Sequence, residues 1–468
     1  MDVVSIAAVQ AENRQLRRLL AERDRHIEQL QQALRELQQR LEAAERSAKR
    51  QAAPFAKGEP KANPKKPGRK RGPQHGQHGH RPPPPPDQVD ETLAAALPEQ
   101  CPHCGGAIVE THCDEQFQTE IPRQPLVRKF IIHCGQCQSC GQRCRGRHSL
   151  QTSDATGAAQ SQVGPDAQAT VVYLNKHAGL SHGKIADLFD KGFGITVSRG
   201  ACAQIVRRAG RRLQPVYEQI KDHLQMATHL TPDETGWRVG GHPAWLHSWV
   251  GDDGTTCYVI DPRRGSAVLA EVIGWDWSGT MTHDGAPTYD RFDAAVHQQC
   301  VDHVLRRARK LVEQQTGRAR GFPEQVVALF QSALAARDAF LEERSDLATR
   351  EQAHADCLER LLELTERPRA NAANETLAKH LHGHGADWFR FLIDPTIPAT
   401  NHRAEQALKT PIVNRKVWGG NRTDAGAAAQ EVTSSVLETC KNKAIDAFGF
   451  VSSALCGVLG NLFATPHP

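Results

Sequence analysis

The sequence predicts a mixed α/β core carrying a helical insertion, preceded by a coiled coil and a cysteine-rich module. Three observations carry that prediction. Residues 6–44 keep a heptad of mostly apolar positions. Two copies of a C-x-x-C-G pattern stand at 101–105 and 137–141. From Met226 onward, short alternating apolar runs lead into a charged, helix-rich stretch. The expected divisions are a coiled coil (1–50), a disordered basic and Pro-rich linker (51–92), the cysteine module (93–150) and a helical segment (151–225). The core follows (226–425), with its insertion at about 306–395, and then a C-terminal helical segment (426–468).

With 468 residues the chain is long enough for several domains and a sizeable core. Lys and Arg number 58 against 53 Asp and Glu, a net charge of +5. The basic excess gathers near the N-terminal third, which suits a protein that binds an anionic polymer and acts on it. The N-terminus reads as a polar, charged helix rather than a signal peptide. The long apolar run at 444–462 contains Asp446 and three glycines, so it reads as a packed helix, not a membrane span. A reduced, cytoplasmic protein is expected.

In the heptad, the a positions are Ile6, Asn13, Leu20, Ile27, Leu34 and Leu41, and the d positions are Val9, Leu16, Arg23, Leu30, Leu37 and Ala44. A stripe this narrow suits self-association, and an Asn at a tends to fix a parallel dimer in register. Arg23 at d weakens the middle. The linker that follows holds a basic run (Lys65-Lys66-Pro67-Gly68-Arg69-Lys70-Arg71) and a proline run from Pro82 to Pro86. It has too few apolar residues to offset the entropy of ordering.

Seven of the 13 cysteines fall between Cys101 and Cys144, a clustering that points to metal rather than disulfides. Cys101, Cys104, Cys137 and Cys140 form two knuckles, each followed by a glycine that frees the turn. Four thiolates make a closed, structural Zn²⁺ site, and 117–121 and 127–132 read as the strands of a zinc ribbon. Cys134 shares the C-x-x-C spacing with Cys137 but lacks the glycine in the right place.

Next, 182–190 reads as a helix, 191–194 as a glycine turn, and Ser198 as the cap of a second, arginine-rich helix to about Leu213. The pair is helix-turn-helix-like and reads either as a DNA contact or as two packing helices leading into the core.

In the core, 228–231, 237–239, 244–250 and 256–260 read as strands, 266–273 as a helix, and 279–283 and 297–301 as further strands. That order is the order of a ribonuclease-H-like fold. Asp233 falls on the first strand and Asp284 at the end of the fourth, which are neighbours in that fold. Glu405 lies on a helix after the insertion and would project back toward both. Three such carboxylates suit Mg²⁺, which takes oxygen ligands and keeps several waters. Without metal they would repel, raising at least one pKa. Strand alternation turns Glu234 to the opposite face, so it is left out of this group.

The motifs together resemble the transposases of the insertion-sequence 66 family. The resemblance rests on the two cysteine knuckles, Gly146-Arg147-His148 with Gln151-Thr152, and Asp233-Glu234-Thr235 with Trp237. It rests equally on Asp284-Gly285 with Tyr289, Cys300-x-x-His303 with Arg306-Arg307, Asn401-x-x-Ala404-Glu405, and Arg415-Lys416 with Gly419-Gly420. The resemblance implies a DDE-type DNA transposase whose Asp-Asp-Glu falls on Asp233, Asp284 and Glu405, dependent on Mg²⁺ or Mn²⁺. Such enzymes cut transposon ends with water and join the freed 3′-hydroxyl to target DNA. Implied partners are the terminal inverted repeats, target DNA, a second copy of the chain and accessory proteins of the same element, with no membrane. Gln406 departs from the family, which often has Arg after the Glu. His303, Arg306, Lys409, Arg415 and Lys416 are candidate phosphate contacts, against the plainer reading of solvated charges and a packed core histidine. Two other readings stand beside this one: a nuclease or resolvase on the same fold, and a zinc-ribbon DNA-binding regulator with an inert core.

Overall fold

A computed structural model of the chain describes residues 83–463 apart from 112–113, 120, 122–123 and 152–161, together with residues 15–16, 19, 23, 26–27, 29–34 and 37. Half of the a and d positions of the heptad, and the linker up to residue 82, lie outside the described residues. The chain divides into two compact units, Met1–Ile121 and Pro122–Pro468. In the first, the described residues between 15 and 37 are helical. Beyond a single turn at Pro86–Gln88 the described remainder is irregular, and it includes the Cys101 knuckle.

The second unit begins with a small antiparallel hairpin, β1 (Cys134–Gln136) and β2 (Arg143–Arg145). This corrects the expectation of strands at 117–121 and 127–132, whose described residues are irregular. The strands instead flank the second knuckle directly, where the tight Cys137–Gly141 turn brings the two arms together.

Three helices follow. α1 (Pro165–Lys176) starts with Pro at its first position, where the missing N–H would have no intrahelical partner. α2 (His182–Phe193) is capped by Ser181 and closed by Gly194 at φ 66°. α3 (Arg199–Gln225) is capped by Ser198, whose hydroxyl accepts from the Ala201 N–H at 3.0 Å, as the sequence predicted. It runs well past Leu213, through Pro215, because an apolar stripe from Cys202 to Leu224 keeps it buried on one side.

The core is a five-stranded mixed sheet: β3 (His229–Val239), β4 (His242–Gly251), β5 (Thr256–Asp261), β6 (Thr280–His283) and β7 (Val296–Gln299), with α4 (Ser266–Ile273) between β5 and β6. The spatial order is β5-β4-β3-β6-β7. β3, β4 and β5 pair antiparallel, while β6 and β7 run parallel to β3. β3 is one unbroken strand where the sequence suggested two. Pro232 lies inside it, past the residues His229 and Leu230 that pair with β6, so it interrupts no ladder on that side.

A helical insertion follows: α5 (Val301–Gln314), α6 (Arg318–Leu341), α7 (Leu347–Glu366), α8 (Ala372–His384) and the short α9 (Arg390–Ile393). It closes its own core around Phe330, Trp388, Phe389 and Phe391. The chain then returns to the sheet with α10 (His402–Trp418), α11 (Asp424–Asn442) and α12 (Ala447–Leu455). One face of β3 and β4 packs on α10 through Trp237, Leu246, Ala404, Ala407 and Leu408. The other face joins the larger core with α3, α4 and α11. Among the described residues, no helix is long and apolar enough to cross a membrane.

Candidate active site

Alternation along β3 settles which side chains share a face. Leu230 joins the α3–α4 core, so Pro232 and Glu234 belong to that face; Trp237 joins the α10 face, and Asp233 and Thr235 go with it. Parallel pairing of Leu230 with Met281 carries the same division into β6. By the same alternation Asp284, the residue after β6, falls on the face of Asp233. α10 packs over this face and carries Glu405 in its first turn. Three separate segments therefore direct a carboxylate to one side of the sheet.

Asp233 is the electrostatic centre of the group. Its proton affinity is pushed up to about 7, first by burial and further by repulsion from Asp284, Glu234 and Glu405. The Glu234 N–H, which donates to Asp233 Oδ1 at 2.8 Å, opposes the shift. Ser248, opposite on β4, donates its hydroxyl to the Asp233 carbonyl at 3.2 Å and fixes the backbone. Asp284 Oδ1 accepts from the Ala286 N–H at 3.0 Å, closing a tight turn through Gly285 at φ 82°. Among the described residues, no three His, Cys, Asp or Glu side chains close on a point as a formed metal cage does.

Two motifs from distant parts of the sequence meet to place Glu405. The Asn401 N–H donates to Cys300 Sγ at 3.3 Å, and the Val301 N–H donates to the Ala399 carbonyl at 2.9 Å. These contacts join the starts of α5 and α10. His303 and Arg306, one and two turns into α5, then face Glu405: Nε2 of His303 lies 3.9 Å and Nη2 of Arg306 3.4 Å from its Oε1.

The other predicted phosphate contacts divide. Lys409 and Lys416 are exposed and, with Glu405, recur at helical spacing on one stripe of α10. Arg415 is turned inward instead. Its guanidinium donates to the Gly236 carbonyl and, at 3.3 Å, to Thr235 Oγ1, clamping α10 to β3 beside Asp233. Gly420 lets the chain turn back after α10: a Cβ there would stand 2.5 Å from the Arg238 carbonyl oxygen. Asn421 then receives the Trp237 indole N–H at 2.8 Å.

Histidines and a glutamine around Asp284 escaped the sequence reading. The Gly285 N–H donates to His283 Nδ1 at 3.1 Å, and His283 Nε2 faces His297 Nδ1 at 2.9 Å. Gln299 bonds His384 of α8 at 3.1 Å. Lone histidines scattered over 283–384 give no spacing signal, because the insertion brings them together only in three dimensions. Glu234, set aside on alternation, does lie on the opposite face, yet its charge still reaches Asp233.

The two cysteine knuckles have the same local form. In each, the fifth residue's N–H donates to the first cysteine's carbonyl (Gly105 to Cys101, 2.8 Å; Gly141 to Cys137, 2.9 Å). Both glycines have positive φ, 73° and 72°. Backbone N–H groups of the turn, His103 first for Cys101 and Cys140 first for Cys137, lower the pKa of the leading thiol. In the α2–α3 pair, Arg199, Arg211 and Arg212 are exposed, whereas Arg208 donates to Gln168 of α1 at 3.0 Å.

The chain is 22% identical over 422 residues to the uncharacterized protein y4hP of Sinorhizobium fredii (strain NBRC 101917 / NGR234), covering 80% of this chain and 73% of that protein. The family model described as Transposase IS66 family matches residues 160–429, from just before α1 through α10 and into α11. That span contains the whole sheet, the insertion and all three carboxylates, and covers more than half of the sequence: the chain belongs to the IS66 family of transposases.

Proposed function

We propose that the chain is a DDE-type DNA transposase that cleaves transposon ends and joins the 3′-hydroxyl to target DNA, with Asp233, Asp284 and Glu405 as the catalytic carboxylates. The observation that carries this reading is the placement of Asp233, Asp284 and Glu405, from separate segments, on one side of the sheet, where the charges of Asp284 and Glu405 reach the half-buried Asp233. The strand order, with three antiparallel strands followed by two parallel to the first, supports a ribonuclease-H-like core.

The donor set fits Mg²⁺ or Mn²⁺. It consists of oxygen anions; burial first, and then their mutual repulsion, raises the Asp233 carboxyl to about 7. Bound to these residues, divalent cations supply charge stabilisation for the attacking and leaving oxygens of an in-line displacement. The protein's own part is placement. The Glu234 N–H and Ser248 orient Asp233, the Gly285 turn orients Asp284, and the α5–α10 junction orients Glu405. Arg306 and the exposed Lys409 and Lys416 are suited to phosphate oxygens along the same side. Arg415 holds α10 in place, and the α2–α3 pair offers arginines to the DNA backbone. Each knuckle, Cys101 with Cys104 and Cys137 with Cys140, offers a thiolate pair suited to structural Zn²⁺, its leading thiol lowered by the N–H groups of the turn. Self-association through the N-terminal heptads would pair two transposon ends, with accessory proteins of the element as further partners.

Cleavage and strand transfer on DNA carrying the terminal inverted repeats test the reading. Asp233→Asn is expected to lose Mg²⁺-dependent cleavage on the order of 10³-fold or more while binding the same DNA. Unchanged cleavage would remove Asp233 from the site. Cleavage without joining by the unaltered protein would leave a nuclease.

A further inference from the structure

We propose that Glu234 and Tyr289 are positioning residues that pin the Asp284 loop to the strand carrying Asp233 from the opposite face of the sheet. The inference rests on the catalytic reading above. It begins with the path of the chain after β6. Asp284 lies on the α10 face, but His283 before it and Tyr289 after it are both buried in the core on the other side. The two rings lie 4.7 Å apart. The loop 284–289 thus straddles the end of the strand, with its acid on one face and its anchor on the other.

That anchor closes on Glu234. The Tyr289 hydroxyl donates to Glu234 Oε2 at 2.8 Å. Arg264, from the β5–α4 connection, donates to Oε1 at 2.9 Å and stacks on Trp245, 4.5 Å from the ring centroid. The Glu234 side chain is only 7% exposed. Both of its oxygens are therefore engaged, and one carboxylate joins three segments: β3, the loop after β6 and the loop after β5. Glu234 also follows Asp233 directly, and its N–H orients Asp233 Oδ1. A single residue thus fixes one catalytic acid through its backbone and the loop of the second through its side chain. Without the Tyr289 bond the loop would keep the Gly285 turn but lose its far anchor. Outer partners of metal-binding carboxylates have effects of this kind, commonly about 10–100-fold in affinity or activity when removed.

Tyr289→Phe deletes only the hydroxyl. The full-length protein should fold and bind inverted-repeat DNA with an affinity within about twofold of the unaltered chain. Its Mn²⁺ half-saturation, read by the electron paramagnetic resonance of free Mn²⁺, should rise about tenfold, and its single-turnover cleavage of pre-bound DNA should slow by a similar factor. Glu234→Gln keeps an acceptor for Tyr289 and should fall short of that loss. Adding Tyr289→Phe to Glu234→Ala should cost little more than Glu234→Ala alone, since the two act as one link. Wild-type Mn²⁺ affinity and rate in Tyr289→Phe would overturn the proposal, as would a lowered melting temperature with both parameters unchanged. Asp233→Asn, run alongside, separates the two ideas: cleavage by that variant would overturn the catalytic reading itself.

Discussion

Gly285 is the residue on which the position of Asp284 turns. Its φ of 82° lies in the left-handed region, and a Cβ there would stand 2.7 Å from Gln299 Oε1 and 3.1 Å from His380 Cε1. Gln299 is 1% exposed and held by His384, so it has no room to withdraw. Gly285→Ala is expected to destabilise the fold by roughly 2–4 kcal/mol, from the strained backbone and the overpacked contact together. It should also slow cleavage, because Asp284 is the adjoining residue; urea unfolding beside the cleavage rate checks both. At this scale the sequence was legible where a side chain's chemistry is intrinsic. Asp233, Asp284 and Glu405 stood out as acids at the ends or edges of predicted elements. The same reasoning set Glu234 on the far face correctly, but face alone says nothing of partners. Tyr289 and Arg264 reach it from loops whose paths no local pattern encodes.

Elements were legible when their apolar period was clean. α4 was read to the residue, and β4 and β5 within two residues at each end. α11 falls in the expected C-terminal helical segment, and Ala429, Val432, Val436 and Cys440 form its core stripe. Its buried residues also include Gln430, Thr433, Ser434, Ser435, Glu438 and Thr439, whose partners no apolar period announces. Some of those polar groups, with Glu431, have a task at the sheet edge, where among the described residues β5 ends the strand order. The N–H groups of Thr256, Tyr258 and Ile260 donate to Thr439 Oγ1, Ser435 Oγ and Glu431 Oε1 at 3.0, 2.8 and 2.6 Å. Four residues of helix rise about 6.0 Å and two of strand about 6.8 Å, so the two ladders stay in step over three bonds. A helix thereby satisfies an edge that would otherwise recruit another strand. The arrangement carries a pH dependence. Burial first, with Asp261 adding repulsion, raises the Glu431 carboxyl from its ordinary 4.5 to about 7. The folded state then holds this proton more tightly than the unfolded chain, so its stabilising effect is complete below about pH 4.5 and fades as pH rises to about 7. Glu431→Gln keeps the acceptor without the charge. It should match the unaltered protein near pH 4 and exceed it above pH 7 by up to roughly 3 kcal/mol, read from urea unfolding at the two pH values.

For the whole molecule, the order of the core strands and the helical insertion after them was legible and their closure was not. That the insertion would return α8 to the Asp284 loop, or that Cys300 would meet Asn401, depends on contacts between residues about a hundred positions apart. The N-terminal heptads bear on how many copies act together. Leu16, Ile27, Leu30, Leu34 and Leu37 are helical and 41–60% exposed in the single chain, although each occupies an a or d position. Burying such a seam against a second copy stabilises by about 25 cal/mol per Å² of apolar area removed from water, an effect that accumulates over six heptads. Deleting residues 1–50 is expected to lower the mass in solution from a dimer to a monomer, measured by light scattering across a concentration series. The truncated chain keeps the sheet, the insertion and α10, so it should still bind a single transposon end. Joining of two ends should fall far more than that binding. An unchanged mass would place self-association elsewhere in the chain; a lowered mass with undiminished paired-end joining would show that the coiled coil is not what brings the two ends together.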